Sequence, residues 1–484
     1  MHFNPTYREE IARQASLAPV PNVAARVGRS TRTVRRSRLL SDRMNRTNDV
    51  VLGAGLAGLT AAYTLQQGGE GGWLVLEKEL EPGGHARSIV VDGYVFDFGP
   101  HILFSNDAAM EALIRDLLGD NMRAQERQAF IYHAAHDLYT RFPFQAHLYG
   151  LPVELVRECL VELVRAVEAR AHNGFEPANY EEWMRAMFGD GIADRLMIPY
   201  ARKIWTVEPS TMDFNWIGRR VPTPDVERIV TGALTDDVAQ VGATSHFWYP
   251  WEGGIASLGH ALAERVAGIE LGREMTAVDV RRRVIRLVDG DEVAFDRLVF
   301  TLPLCFLPRW FDDLPPAVAD ACAGLEYQGI FNVNIGIDRP VPSDKHWIYF
   351  YEDEFPFHRL SFPGNFSPRN VPEGKSSVST EVAYSRHRPL ERETMLDRTI
   401  GSLRAAGILG AEDEVELVHA EEILPAYVIY DLAHGRNVET IRTWLREQRI
   451  WTAGRFGEWQ YFNMDHSMAS GKAAADAILA DVSE

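Results

Sequence analysis

The chain has 484 residues, 46% hydrophobic and 24% charged, with a formal net charge of −18. That length exceeds one compact core, which stops growing near ~250–300 residues, so two or three domains are expected. The acidic balance argues against a nucleic-acid binder, and three unevenly spaced cysteines (Cys159, Cys305, Cys322) argue against a disulfide framework or metal site and fit a reducing cytoplasm.

The charge is uneven. Residues 1–46 hold ten arginines against three acids, a net +7 that leaves −25 for the rest. This segment lacks the apolar core of a secretory signal and reads as a solvated N-terminal extension. A basic arm for an acidic partner, or an extension ahead of a start at Met44, are the other readings. No run of about 18 apolar residues occurs, so no transmembrane helix is expected. Five lysines among 50 basic residues suggest a GC-rich, bacterial coding genome.

Asp49-Val50-Val51-Leu52 reads as a strand. It runs into Gly53-Ala54-Gly55-Leu56-Ala57-Gly58 and a helix over 59–67. This is G-x-G-x-x-G between strand and helix. Gly53 permits the tight turn, Gly55 lets backbone approach a diphosphate, and Gly58 lets the helix pack on the strand. Phosphates at such a helix N-terminus meet free N–H groups and the favourable end of the helix dipole. A second strand, Trp73-Leu74-Val75-Leu76, ends in Glu77, 24 residues after Gly53, where an acid can take the ribose hydroxyls of an adenosine. Glu81-Pro82-Gly83-Gly84-His85-Ala86-Arg87-Ser88 follows. Gly83 and Gly84 suggest a second close approach to the diphosphate, with Arg87 as a further cofactor contact. The pair resembles the large FAD-binding family that includes amine oxidases, protoporphyrinogen oxidases and UDP-galactopyranose mutases. That resemblance implies FAD rather than NAD.

From 106 to about 206 the pattern reads mostly helical. Leu155, Leu160, Leu163, Val164 and Val167 recur at helical spacing, as core. Trp183, Met184, Met187 and Phe188 predict a second helix that ends at Gly189-Asp190-Gly191. A Gly253-Gly254 break precedes a helix over 255–266, and strands are expected at 277–280, 284–288 and 297–301. Residues 327–430 alternate apolar and polar over 331–337, 347–351 and 378–383. That is the pattern of an antiparallel sheet with one solvated or substrate-facing side. A strand, a glycine turn and a helix from about Met468 close the chain. The expected fold is α/β: a discontinuous Rossmann-type FAD-binding domain (47–105, 252–325, 435–484), an inserted helical substrate-binding domain (106–220) and an inserted antiparallel β-sheet domain (221–251, 326–434).

Five segments, in order, resemble the UDP-galactopyranose mutase family over about 48–480. Asp97-Phe98-Gly99-Pro100-His101 is similar to its glycine–histidine segment beside the flavin, and Arg141-Phe142-Pro143-Phe144-Gln145 to its nucleotide-recognition turn. Lys203-Ile204-Trp205 with Trp216-Ile217-Gly218-Arg219-Arg220 is similar to the segment carrying its first pyrophosphate arginine, which falls on Arg220. Trp347-Ile348-Tyr349 through Phe357-His358-Arg359 carries the second, on Arg359. Gly454-Arg455 through Asn463-Met464-Asp465-His466-Ser467 is similar to the C-terminal flavin and substrate segment.

The resemblance implies a redox-neutral reaction. N5 of reduced FAD attacks the anomeric carbon of a nucleoside diphosphate sugar, and the ring recloses through another hydroxyl. Arg220 and Arg359 would clamp the diphosphate. His101 would contact the flavin. Phe142, Gln145 and Trp205 would hold base and ribose; Trp347, Tyr349, Tyr427, Tyr461 and Asn463 would line the substrate; Arg455, Asn463, Met464 and Ser467 would contact FAD. A nicotinamide nucleotide is a candidate reductant. No metal is called for, nor any Ser/His/Asp triad. An FAD-dependent oxidoreductase of the amine oxidase or desaturase type is the alternative. Three departures bear on specificity. Tyr427 lacks the family's following proline turn, Phe142 stands for a tyrosine, and Ala201 stands after Tyr200 for an asparagine. Losing a hydrogen bond from a polar site shifts discrimination strongly, so base, sugar or both are expected to differ from UDP-galactose.

Overall fold

The computed structural model describes residues 49–69, 73–218, 221, 223, 225–236, 246–340 and 343–481. The arginine-rich extension and Arg220 lie outside the described residues.

The opening unit is β1 (Asp49–Leu52), α1 (Leu56–Gln67) and β2 (Trp73–Leu76). Along the chain follow β3 (Ala129–His133), β4 (Leu138–Arg141), α2 (Val153–Asn173), α3 (Tyr180–Ile192) and α4 (Ile198–Trp205). Next come β5 (Arg297–Phe300), β6 (Glu326–Ile337), β7 (Trp347–Phe350), β8 (Arg359–Ser361), β9 (Ser376–Tyr384), β10 (Val415–Ile429), β11 (Ile450–Thr452) and α5 (Met464–Asp481).

Two sheets organise this mixed α/β fold. The first has five parallel strands in the order β11-β5-β1-β2, then Ile269–Glu270. Its central strands β1 and β5 are buried at every position and apolar after a charged first residue, as expected of a parallel sheet covered on both faces. Their first residues form a buried ion pair: Arg297 donates Nε to Asp49 Oδ1 (2.6 Å) and Nη2 to Oδ2 (2.7 Å). Helix α5 returns from the far end of the chain onto α1. A Cβ on Gly471 would lie 2.0 Å from Ala57 O, so the crossing is closer than any side chain allows.

The second sheet has seven strands, β10-β6-β9-β8-β7-β3-β4. All pairs are antiparallel except β7 with β3. The alternation expected over 327–430 is present, but neither face of β9 is solvated: all nine residues are buried. Val333, Ile335 and Val378 pack with Met395, Ile400 and Leu403 of the helix Arg392–Ala405. The opposite, polar face is covered by the hairpin Ser88–Val91 and Tyr94–Asp97, whose Tyr94 ring lies 2.8 Å from a Cβ placed on Gly336.

The 106–206 region is mostly helical, as expected, with strands set among the helices. Met122–Glu126 pairs with His246–Pro250, and β3 and β4 join the large sheet. Phe130-Ile131-Tyr132 carries the aromatic and β-branched character of a strand, which the helical periodicity on either side overshadows. Helix α3 breaks at Gly189 (φ +76°), as the Gly189-Asp190-Gly191 stop predicts, and helical turns resume to Ile192; a Cβ at 189 would lie 2.3 Å from Glu162 O. At the chain end, α5 starts at Met464, four residues before the expected Met468.

Candidate functional site

The glycine turn between β1 and α1 is built as its residue types require. Gly53 has φ +97°, and its N–H donates to Leu76 O (2.8 Å). A Cβ at Gly58 would lie 1.9 Å from Gly53 O. The second glycine pair closes over the first. Gly55 and Gly83 form an isolated parallel bridge, Gly83 N donates to Ala54 O (2.8 Å), and a Cβ at Gly84 would lie 3.0 Å from Gly55 Cα. Two backbone loops therefore meet with no side chain between them, at the N-terminus of a twelve-residue helix. That cradle suits a dinucleotide diphosphate. Glu77 stands at its edge, 8% exposed, accepting from Ala54 N (2.7 Å) and Glu79 N (3.0 Å). Arg87 donates Nε to Gly84 O (2.8 Å) and lies over the Phe98 ring.

From this cradle the Asp97–His101 segment leads to a cluster of rings and cations. His101 Nδ1 contacts Gly99 O (2.9 Å). Burial, then the nearby Arg455 charge, bring its pKa down to about 4. His85 is pulled down to about 3 by burial and the same arginine. Both imidazoles are neutral at neutral pH. They can therefore donate or accept without adding charge.

Arg359 opens β8, and its partners in register are Tyr349 on β7 and Glu381 on β9. Its Nε donates to Glu381 Oε2. Among the described residues its two terminal nitrogens make no hydrogen bond. Burial opposes the guanidinium charge, but the Glu381 carboxylate outweighs it and holds the pKa well above the usual range. Glu381 is 2% exposed and lies against the Gly99 turn, 3.3 Å from a Cβ placed there.

The rings are layered around this cation. Tyr349 stacks on Phe142 (4.4 Å between centroids) and takes a hydrogen bond from Trp347 Nε1 (3.0 Å). Tyr427 and Tyr461 lie 5.5 Å apart, with Trp205 edge-on to both. The Tyr427 hydroxyl is pushed up by burial and by Tyr461, so it stays a neutral donor. Gln145 is buried in the short turn Phe144–Ala146 that follows Phe142. Asn463 immediately precedes α5, and its carbonyl accepts from Ser467 N (3.0 Å). Met464 packs into the core shared with α1.

Arg455 lies within the tyrosine cluster. Its guanidinium lies over Tyr427 and Tyr461 and donates to Ala426 O (3.0 Å) and Phe462 O (2.8 and 2.5 Å). In this arrangement its donors pin β10 to the segment ahead of α5. The sequence reading missed members of the cluster. Tyr200 is edge-on to Tyr349 at 5.6 Å. Tyr430 takes the Tyr461 N–H (2.5 Å) and stacks on Trp216. Glu381 backs Arg359. Its signal was available: it is the lone charge in the otherwise neutral strand Ser376–Tyr384.

With this geometry in hand, the comparisons decide the family. Residues 56–479 match the family described as flavin containing amine oxidoreductase. The chain belongs to that family. It is also similar to a solved structure of reduced UDP-galactopyranose mutase, with 29% identity and a TM-score of 0.85 over 90% of this chain and 95% of that one. A protoporphyrinogen oxidase from Exiguobacterium sp., described as putative, shares the fold at 17% identity and a TM-score of 0.69, over 90% of this chain and 99% of that one. A redesigned putrescine oxidase shares it at 15% and 0.63 over the same shares of the two chains. Family and mutase likeness together imply FAD, and the paired glycine loops fit its diphosphate. The chain is an enzyme of the FAD amine oxidoreductase family. No helix among the described residues is long and apolar enough to cross a membrane, and no cluster there suits a metal ion.

Proposed function

We propose that this protein is a flavin-dependent mutase interconverting pyranose and furanose forms of a nucleoside diphosphate sugar, with no net redox change. One observation carries the reading. Arg359, backed by a buried carboxylate and with its terminal nitrogens unengaged among the described residues, faces a cluster of tyrosines beside a neutral histidine. The bound, reduced flavin would supply N5 as the nucleophile toward the anomeric carbon, as the mutase likeness suggests.

The chain's own residues would do the rest. Arg359 would hold the departing diphosphate through its planar fork and keep it for return, with Arg220 as the second clamp. Tyr349, Tyr427 and Tyr461 offer hydroxyls to phosphate and sugar. Phe142, Gln145 and Trp205 would receive the base and ribose. The buried rings exclude water, which strengthens every charge interaction there. In this reading the FAD-binding domain comprises 47–105, 252–325 and 435–484, and the intervening segments build the substrate side.

The test compares oxidised with chemically reduced holoenzyme on a panel of nucleotide sugars. Product ring size and oxygen consumption are followed together. Isomerisation by reduced enzyme only, without consumption of an acceptor, is expected. Turnover of oxygen or another acceptor in step with product would replace this reading by an amine-oxidase-type oxidoreductase.

A further inference from the structure

His358 is fully buried, yet among the described residues neither ring nitrogen has a hydrogen-bond partner within bonding distance. A buried polar group without a partner is costly, and native structures keep few of them. Its place in the fold gives the reason. The residue precedes Arg359 on β8 and is tied to β9 by its own backbone, His358 N to Glu381 O at 3.0 Å. Its Nε2 stands 4.0 Å from Glu381 Oε2, the oxygen to which Arg359 donates Nε. Tyr200, edge-on to Tyr349, lies against its other side with ring centroids 6.4 Å apart. Burial, then the Arg359 charge, with Lys203 and Arg388 behind it, keep the ring neutral.

Glu381 is a buried carboxylate that, among the described residues, takes its cationic hydrogen bond from Arg359. An anion that draws Arg359 forward stretches that bond. It also sets a second negative charge near the first. Without another donor the buried carboxylate would oppose ligand binding. A donor about 1 Å beyond bonding range of the carboxylate, already desolvated, meets that need.

We infer that His358 is a positioning residue that donates Nε2–H to Glu381 when Arg359 engages a diphosphate. This rests on the proposed role of Arg359 as the diphosphate clamp. The ring is then strained in the free protein and satisfied in the complex. Two properties that a purely structural histidine would couple should separate. His358→Leu removes two unsatisfied polar atoms at similar volume and leaves the free protein as stable or more so. The same change weakens anion binding, because the donor is gone.

The experiment titrates inorganic pyrophosphate, a probe without base or sugar, into FAD-loaded wild type, His358→Leu, His358→Gln and Arg359→Ala by calorimetry. Melting temperatures are measured without ligand. The expected pattern is binding about tenfold weaker in His358→Leu, equal to ~1.4 kcal/mol, with no loss of melting temperature. His358→Gln, which keeps an N–H donor, should recover to within about threefold. Arg359→Ala should bind weakest. If His358→Leu binds like wild type, or Gln fails as badly as Leu while Arg359→Ala still weakens binding, the positioning role is overturned and the clamp stands. If Arg359→Ala binds like wild type, the clamp falls and this inference with it.

Discussion

At Arg359 one side chain serves a fold and a ligand at once, and substitution can separate the two. Removing the guanidinium leaves Glu381 buried without its cation, a change that typically costs ~3–5 kcal/mol of stability. It also removes a donor to the departing diphosphate, by analogy ~2.7–4 kcal/mol of transition-state stabilisation. Arg359→Ala should therefore lose both stability and, on the order of 10²–10³-fold, kcat. Adding Glu381→Gln should restore most of the melting temperature but little of the kcat. Recovery of both would mean that Arg359 acts only as scaffold. The sequence made Arg359 legible through its motif. It marked Glu381 as a lone charge in a neutral strand but not as the partner of Arg359, because register decides which residues meet across strands.

Asp97 makes a second prediction at this scale. It accepts from Ser88 Oγ (2.7 Å), Tyr249 Oη (2.8 Å) and Ile255 N (3.0 Å), yet burial outweighs these bonds and raises its pKa to about 6. A carboxyl raised above its unfolded value stabilises the fold below that value, and the contribution is lost as pH rises through the folded pKa. His85 and His101, shifted down, act in the opposite sense. Only the difference between wild type and Asp97→Asn isolates this group. Between about pH 4 and pH 6 wild type should lose melting temperature relative to the variant; parallel profiles would rule the effect out.

Elements are set here by what glycine omits. At Gly471, within helix α5, alanine would gain ~0.8–1.0 kcal/mol of helix propensity. Its methyl would also lie 2.0 Å from Ala57 O, a backbone atom that cannot turn aside. Forced separation of packed elements typically costs ~1–3 kcal/mol, so the crossing should win. Gly471→Ala is expected to lower the melting temperature and, by shifting α1, the flavin content read at 450 nm. An unchanged flavin content would show that α1 is held without α5. Strand β1, helix α1 and strand β2 were legible in the sequence because each local signal agreed with the next. The break at Gly189 was legible too, but its packing reason was not, because Glu162, whose carbonyl forbids a Cβ there, lies on a neighbouring helix. The buried polar face of β9 escaped for a similar reason. Alternation shows that two faces differ, but not that a hairpin from residues 88–97 covers the polar one.

For the whole molecule, a net charge of −18 gives no hint of an anion site, since Arg359 is shielded from the surface charge by burial. The site is also assembled from distant parts of the chain. The diphosphate cradle comes from residues 53–87, while the segment 454–467 closes on it from the C-terminus through Gly454, whose added Cβ would lie 2.8 Å from Ala57 Cβ. A cofactor bound there touches only the folded state and stabilises it by mass action, ~2.7 kcal/mol when free FAD exceeds its Kd 100-fold. Because segments far apart in the chain, 53–87 and 454–467, meet at the cradle, that stabilisation should reach the entire fold. Adding FAD to flavin-stripped protein is expected to move the thermal transitions seen by tryptophan fluorescence and by far-ultraviolet circular dichroism upward together. Gly58→Ala, which would drive a methyl to 1.9 Å from Gly53 O, should abolish the shift in both. A shift in one signal alone would mean that the two sheets melt independently and that the cofactor secures only the parallel one.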